Sequence, residues 1–118
     1  MSEKYDWLVQ IPVNASDMKA WANARDAHLL HLKPYVADGT IVFAGPTLAA
    51  HPKEPEDKME ITSSVMMFRA RTEEEVRAIV SKNAFVEAGV WDMDRAVVAP
   101  FKCGFYLSSE VKFYCISI

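Results

Sequence analysis

A single α+β domain, with segments in the order strand, helix, strand, strand, helix, strand, is the fold class predicted by this chain. Three observations predict it. Four short runs rich in branched and aromatic residues read as strands, at Tyr5–Pro12, Thr40–Ala44, Glu60–Arg69 and Val90–Phe101. The segment from Met18 onward instead repeats apolar residues at spacings of three and four, the period of a helix. Thr72-Glu73-Glu74-Glu75 then marks a second helix start, with Thr at the cap and Glu three residues on.

The elements follow in order. Tyr5–Pro12 alternates polar with apolar and is stopped by Pro12. Ser16 is the expected N-cap of the first helix, with Asp17 favourable in its first turn. Met18, Trp21, Arg25, His28, Leu29 and Leu32 lie along one mostly apolar face. Pro34 is expected to end or kink this helix after Leu32, with a short turn over residues 33–38 and Gly39 as the C-cap. The second strand, Thr40–Ala44, is expected to close at Gly45-Pro46. Residues 47–58 hold Pro52, Pro55 and several charges, and read as a long exposed loop bordering the site. The third strand follows, then the capped helix through Val76, Ile79 and Val80. A short helical segment within Ser81–Gly89 is anchored by Phe85 and Val86, and the last strand runs from Val90 to Phe101. This order predicts the ferredoxin-like β-α-β-β-α-β arrangement, a four-stranded antiparallel sheet with two helices on one face. Apolar residues at both parities of the strands, as in Trp7-Leu8-Val9 and Val65-Met66-Met67-Phe68, leave the other face in need of a cover. A homodimer with two sheets packed together is the expected solution.

Bulk properties narrow the function. The chain has 118 residues, of which 51% are hydrophobic, enough for one core. The domain is expected over residues 1–102, with 103–118 as a C-terminal extension of unassigned role. The net charge is -3 and no basic stripe interleaves with aromatics, which argues against nucleic acid. No apolar run approaches the ~20 residues of a membrane span. The start, Met1 to Asp6, is polar and acidic, unlike a signal or transit peptide. Cys103 and Cys115 lack metal-type spacing and read as free thiols in a reducing compartment, with a single late disulfide as the alternative. The expected location is the cytoplasm.

Chemistry concentrates between Arg25 and Pro46. Histidine titrates near pH ~6.5, so His28 on an apolar helix face suits a base or acid at neutral pH. Asp38 is placed to orient it and to stabilise its charged form; it is also a common turn residue before Gly39. Arg25 shares the helical face of His28 and suits an anionic substrate or a carboxylate of the chain itself. Arg25 and the Gly45-Pro46 turn are the expected substrate-binding residues. His28 and His31 are three apart without a third ligand, and His51 stands alone, so no metal or other cofactor is expected.

Four pieces resemble the YciI-like (YCII-related) family of small dimeric α+β barrel proteins. They are Arg25-x-x-His28-Leu29, Asp38-Gly39-x-x-x-x-Ala44-Gly45-Pro46, Phe85-Val86-x-Ala88-Gly89-Val90 and Pro100-Phe101-Lys102. The resemblance implies a dimeric α+β barrel whose active site is a His–Asp pair, placed here on His28 and Asp38. Members resemble muconolactone isomerases in fold, and a dehydrochlorinase of a chlorinated hydroxyhydroquinone is among them. The family often carries Asp-Pro just before the Phe/Tyr-Val-x-Ala-Gly segment, where this chain has Asn83-Ala84. The functional expectation is a small-molecule enzyme of isomerase or lyase type. It would transfer a proton on a cyclic or aromatic oxygenated substrate, with His28 as base or acid and Asp38 as its orienter. The alternative is a non-catalytic binding or sensing module on the same scaffold.

Overall fold

The computed structural model describes residues 3–14 and 18–104. Strand β1 (Tyr5–Pro12) is followed by helix α1 (Met18–Ala37), strands β2 (Ile41–Leu48) and β3 (Ile61–Ala70), helices α2 (Glu73–Ser81) and α3 (Ala84–Glu87), and strand β4 (Val97–Phe101). The sheet has the order β2-β3-β1-β4, and every neighbouring pair is antiparallel. This is the predicted arrangement. Ser16, Asp17 and the segment 105–118, which includes Cys115, lie outside the described residues.

The register divides the strands into two faces. Trp7 pairs Phe68, Val9 pairs both Met66 and Val98, and Ile11 pairs Ser64. These side chains face the helices, and Val9, Ile11 and Phe68 are fully buried with Ile41, Val76 and Val80. Each such side chain contributes about 1.5–3 kcal/mol by leaving water. The opposite face carries Leu8 against Met67, Val97 beside Gln10, and Phe43. Phe43, Val97 and Phe101 are exposed there, at 37%, 55% and 42%.

Helix α2 starts as predicted: Thr72 Oγ1 accepts from Glu75 N at 3.2 Å. The Glu75 carboxylate does not return to the Thr72 amide. It accepts instead from Arg71 N at 3.1 Å and from the Arg71 side chain, one residue earlier than the expected box.

Three boundaries differ from expectation, each for a physical reason. Helix α1 continues through Pro34 to Ala37. Proline removes the bond to the carbonyl four residues back, which belongs to Leu30, and Leu30 is 69% exposed. This part of the helix lies at the surface, where water can take the missing amide's place. Gly39 then closes the helix with φ +83°. Strand β2 runs through Gly45-Pro46 to Leu48, with Pro46 paired to Ser64. It is an edge strand, where a missing N–H can point away from the ladder. The last strand is short. Trp91 forms an isolated bridge with Val13, and a 3₁₀ turn over Met93–Arg95, beside an Arg95–Asp92 ion pair of 3.2 Å, separates it from β4.

Candidate active site

A cavity of about 390 Å³ lies between α1, β2 and β3. Leu32 is the one fully buried residue of this helix, whereas Trp21, His28, Leu29 and Val36 wall the space instead. Val42, Ala44, Gly45, Pro46 and Leu48 form the β2 wall, and Ser64, Met66 and Phe85 also face in. Arg25 and Lys33 bring positive charge, and none of the residues lining the cavity is a carboxylate. The Arg25 guanidinium lies 5.8 Å above the Trp21 ring, within cation–π range. Leu48 and Met59 border the cavity, one on either side of the exposed loop between β2 and β3.

His28, Arg25, Gly45 and Pro46 thus share one cavity, and Asp38 is not among the residues that line it. The expected contact between His28 and Asp38 is absent. Asp38 accepts from Thr40 N at 2.9 Å, across the α1–β2 junction. Hydrogen bonding from the Thr40 hydroxyl, and then from that amide, holds its carboxyl below the ordinary aspartate value. Asp38 is exposed, and it acts here as the turn residue that its place before Gly39 also allows.

The partner of His28 is Asn83. His28 Nδ1 lies 2.8 Å from Asn83 Oδ1. Asn83 caps α3, and the same oxygen accepts from Phe85 N at 2.9 Å. Its Nδ2 donates to the His28 carbonyl at 3.3 Å and to His31 Nδ1 at 2.9 Å. Two main-chain groups of opposite polarity therefore fix which end of the amide is oxygen: Phe85 N–H can only donate, and the His28 carbonyl can only accept. It follows that His28 bears its proton on Nδ1 and that His31 Nδ1 is an unprotonated acceptor. All four bonding positions of Asn83 are used, in a side chain only 1% exposed.

Aromatic rings hold the imidazole in place. The Phe85 ring stacks on His28 at 3.9 Å and 10° from parallel, and Trp91 meets it edge-on at 5.4 Å. Burial lowers the His28 pKa to about 4, helped by the nearby charges of His31 and Arg25 and opposed by the Asn83 bond. His28 is therefore neutral at pH 7, with its second nitrogen, Nε2, available as an acceptor. Burial also lowers His31, with Lys82 adding to the effect.

Asn83, Phe85, Trp91 and Ser64 are the site residues that periodicity does not reveal. The one sequence signal was the Asn83-Ala84 pair standing where the resembling family often has Asp-Pro. The fold places that position, rather than Asp38, against His28.

Comparison with known proteins agrees with this architecture. Residues 7–102 match the YCII-related domain. A "derivative of benzaldehyde biosynthesis cluster protein C" of Emericella nidulans is 46% identical over 89 residues, covering 75% of this chain and 91% of the relative. A xenovulene A biosynthesis cluster protein of Sarocladium schorii is 34% identical over 104 residues, covering 84% and 89%. Among solved structures, 5-chloro-2-hydroxyhydroquinone dehydrochlorinase of Burkholderia phenoliruptrix, in complex with 2,5-dihydroxybenzoquinone, superposes with a TM-score of 0.70 at 24% identity, over 84% of this chain and 95% of that one. At that identity the likeness is one of fold, the ferredoxin-like α+β arrangement of a four-stranded antiparallel sheet with helices.

Proposed function

The chain belongs to the YCII-related family, and from that premise we propose that its cavity processes a small cyclic or aromatic oxygenated compound, with His28 as the group that takes the proton. The observation that carries this reading is the His28–Asn83 bond. It holds a neutral imidazole at the wall of a mostly apolar cavity, with Nδ1 occupied and Nε2 left to a ligand. Arg25 and Lys33 would favour the charge that a substrate gains on losing a proton. Isomerisation and elimination both begin with such a step. The relatives named for biosynthesis clusters, and a fold neighbour that is a dehydrochlorinase, support small-molecule processing. Asp38 has no part in the proton transfer in this reading.

The active unit in this proposal is a homodimer joined through the sheet face that bears Phe43, Val97 and Phe101. Apolar side chains this exposed on one face favour burial against a second copy.

One observation favours a second reading, a non-catalytic binding or sensing module. A histidine with a pKa of about 4 is a weak base, better suited to accepting a hydrogen bond than to carrying a proton at neutral pH. The discriminating experiment is a turnover screen of the purified protein against lactones, catechols and quinols, with His28→Ala and His28→Gln as variants. Loss of a general base costs ~10²–10⁴ in rate, so His28→Ala should abolish turnover, while His28→Gln still binds ligand. Full activity in a folded His28→Ala protein removes His28 from the chemistry and leaves the binding module.

A further inference from the structure

Two buried side chains each occupy one end of a cavity group. Asn83 accepts the Nδ1 proton of His28, which leaves the Nε2 lone pair. Trp91 Nε1 donates to Ser64 Oγ at 2.9 Å, which commits that oxygen as an acceptor and leaves the hydroxyl hydrogen. Trp91 Nε1 is the recorded partner of Ser64 Oγ among the described residues, and both Ser64 and His28 line the cavity. The indole is 3% exposed and also lies edge-on to His28. One ring thus touches both groups.

We infer that Ser64 and His28 form a matched donor and acceptor for one ligand, and that the cavity takes a ring bearing both a hydroxyl and a carbonyl group. The inference rests on the cavity reading above and narrows it. The ligand's hydroxyl donates to His28 Nε2, and its carbonyl accepts from Ser64. The ring packs among the apolar walls. A hydrocarbon would leave both cavity groups unpaired, and an unmet polar group in such a place disfavours binding. Selection therefore comes from the two polar contacts, and the remaining surface contributes affinity without discrimination.

The test is calorimetric titration at pH 7 with the three hydroxyacetophenone isomers. The methyl ether of the isomer that binds lacks the donor, and the matching ethylphenol lacks the carbonyl. Each omission should weaken binding to the wild-type protein by roughly threefold to tenfold, the worth of one hydrogen bond. Ser64→Ala should lose the preference for the ketone over the ethylphenol, and His28→Phe should lose the preference for the phenol over its ether. Ser64→Ala also strands the Trp91 N–H, so Ser64→Ala with Trp91→Phe, which removes both partners, is measured alongside. If Ser64→Ala and the double variant keep the wild-type preference for the carbonyl, the donor–acceptor pair is overturned and the cavity reading stands. If no probe binds the wild-type protein at millimolar concentration, both are overturned.

Discussion

Asn83 Oδ1 accepts the Nδ1 proton of His28 across 2.8 Å, joining the cap of α3 to the middle of α1. An amide in that position differs from a carboxylate in one respect that matters. It orients the ring and selects the tautomer equally well, but it supplies no negative charge to hold an imidazolium. His28 therefore stays neutral where a carboxylate-backed histidine would charge.

The tautomer is directly observable. Nitrogen-detected NMR of imidazole-labelled protein should show His28 protonated on Nδ1 alone from pH 6 to 8, with Nε2 protonating only near pH 4. His31 should show the reverse tautomer, protonated on Nε2, since its Nδ1 accepts from Asn83.

Stability should fall on acidification. The His28 pKa drops from its ordinary value of 6.5 to about 4 in the folded state. Between those values the unfolded chain binds more protons than the folded one, so stability rises with pH. The contribution is complete above pH 6.5, declines as pH falls from there towards 4, and is gone below it. Its full size is on the order of 3 kcal/mol, from about 1.4 kcal/mol per pKa unit. Urea unfolding at pH 7.5 and pH 4.5 measures it, and His28→Gln should flatten the difference.

Asn83→Asp should raise the His28 pKa by about 1–3 units, since it places an opposite charge beside the ring. The same change removes the NH₂ that serves His31 and the His28 carbonyl, so the protein should also lose about 1–3 kcal/mol of stability. An NMR titration reads the first effect and chemical denaturation the second. An unmoved His28 pKa would mean that the side chains had parted.

Replacing residues 51–57 with a Gly-Ser link should change stability by no more than about 0.5 kcal/mol. Every residue of that segment is exposed. Its recorded hydrogen bonds, between Glu54 and Asp57, close within the segment itself. Ligand affinity should respond more than the melting temperature, because Leu48 and Met59 flank the loop at the cavity.

Val97→Lys should yield a monomer by light scattering where the wild-type chain gives a dimer. Val97 is 55% exposed on the face away from the helices, and a stable interface there should bury more than about 1,000 Å². A buried lysine would have to lose its hydration without a partner. A monomeric wild-type protein at micromolar concentration ends the dimer proposal.

The order of strands and helices was legible in the sequence because each element is locally consistent. Alternation in Tyr5–Pro12 and the Thr72 cap need only neighbours to be read. That His28, Arg25, Gly45 and Pro46 come together at one cavity was legible for a similar reason: they lie on one helix face and one strand. Its partner was not. Asn83 is 55 positions along the chain from His28, and no periodicity links the two. Asp38 looked nearer only because it is nearer in sequence. The helix boundary at Pro34 and the strand boundary at Pro46 misled because the rule for proline depends on which way the missing amide faces, and that is set by tertiary packing.

Pro46 has a consequence for how these molecules can meet. A strand on the rim of a sheet is a template onto which another chain can zip, residue by residue, into an endless ribbon. β2 is such a rim, and it has a residue without a donor in its run, with register shifts near Ile41 and Leu48. An incoming strand would find the ladder interrupted. Growth along the rim is thereby discouraged, and copies of this chain are steered towards closed, countable assemblies in place of fibres.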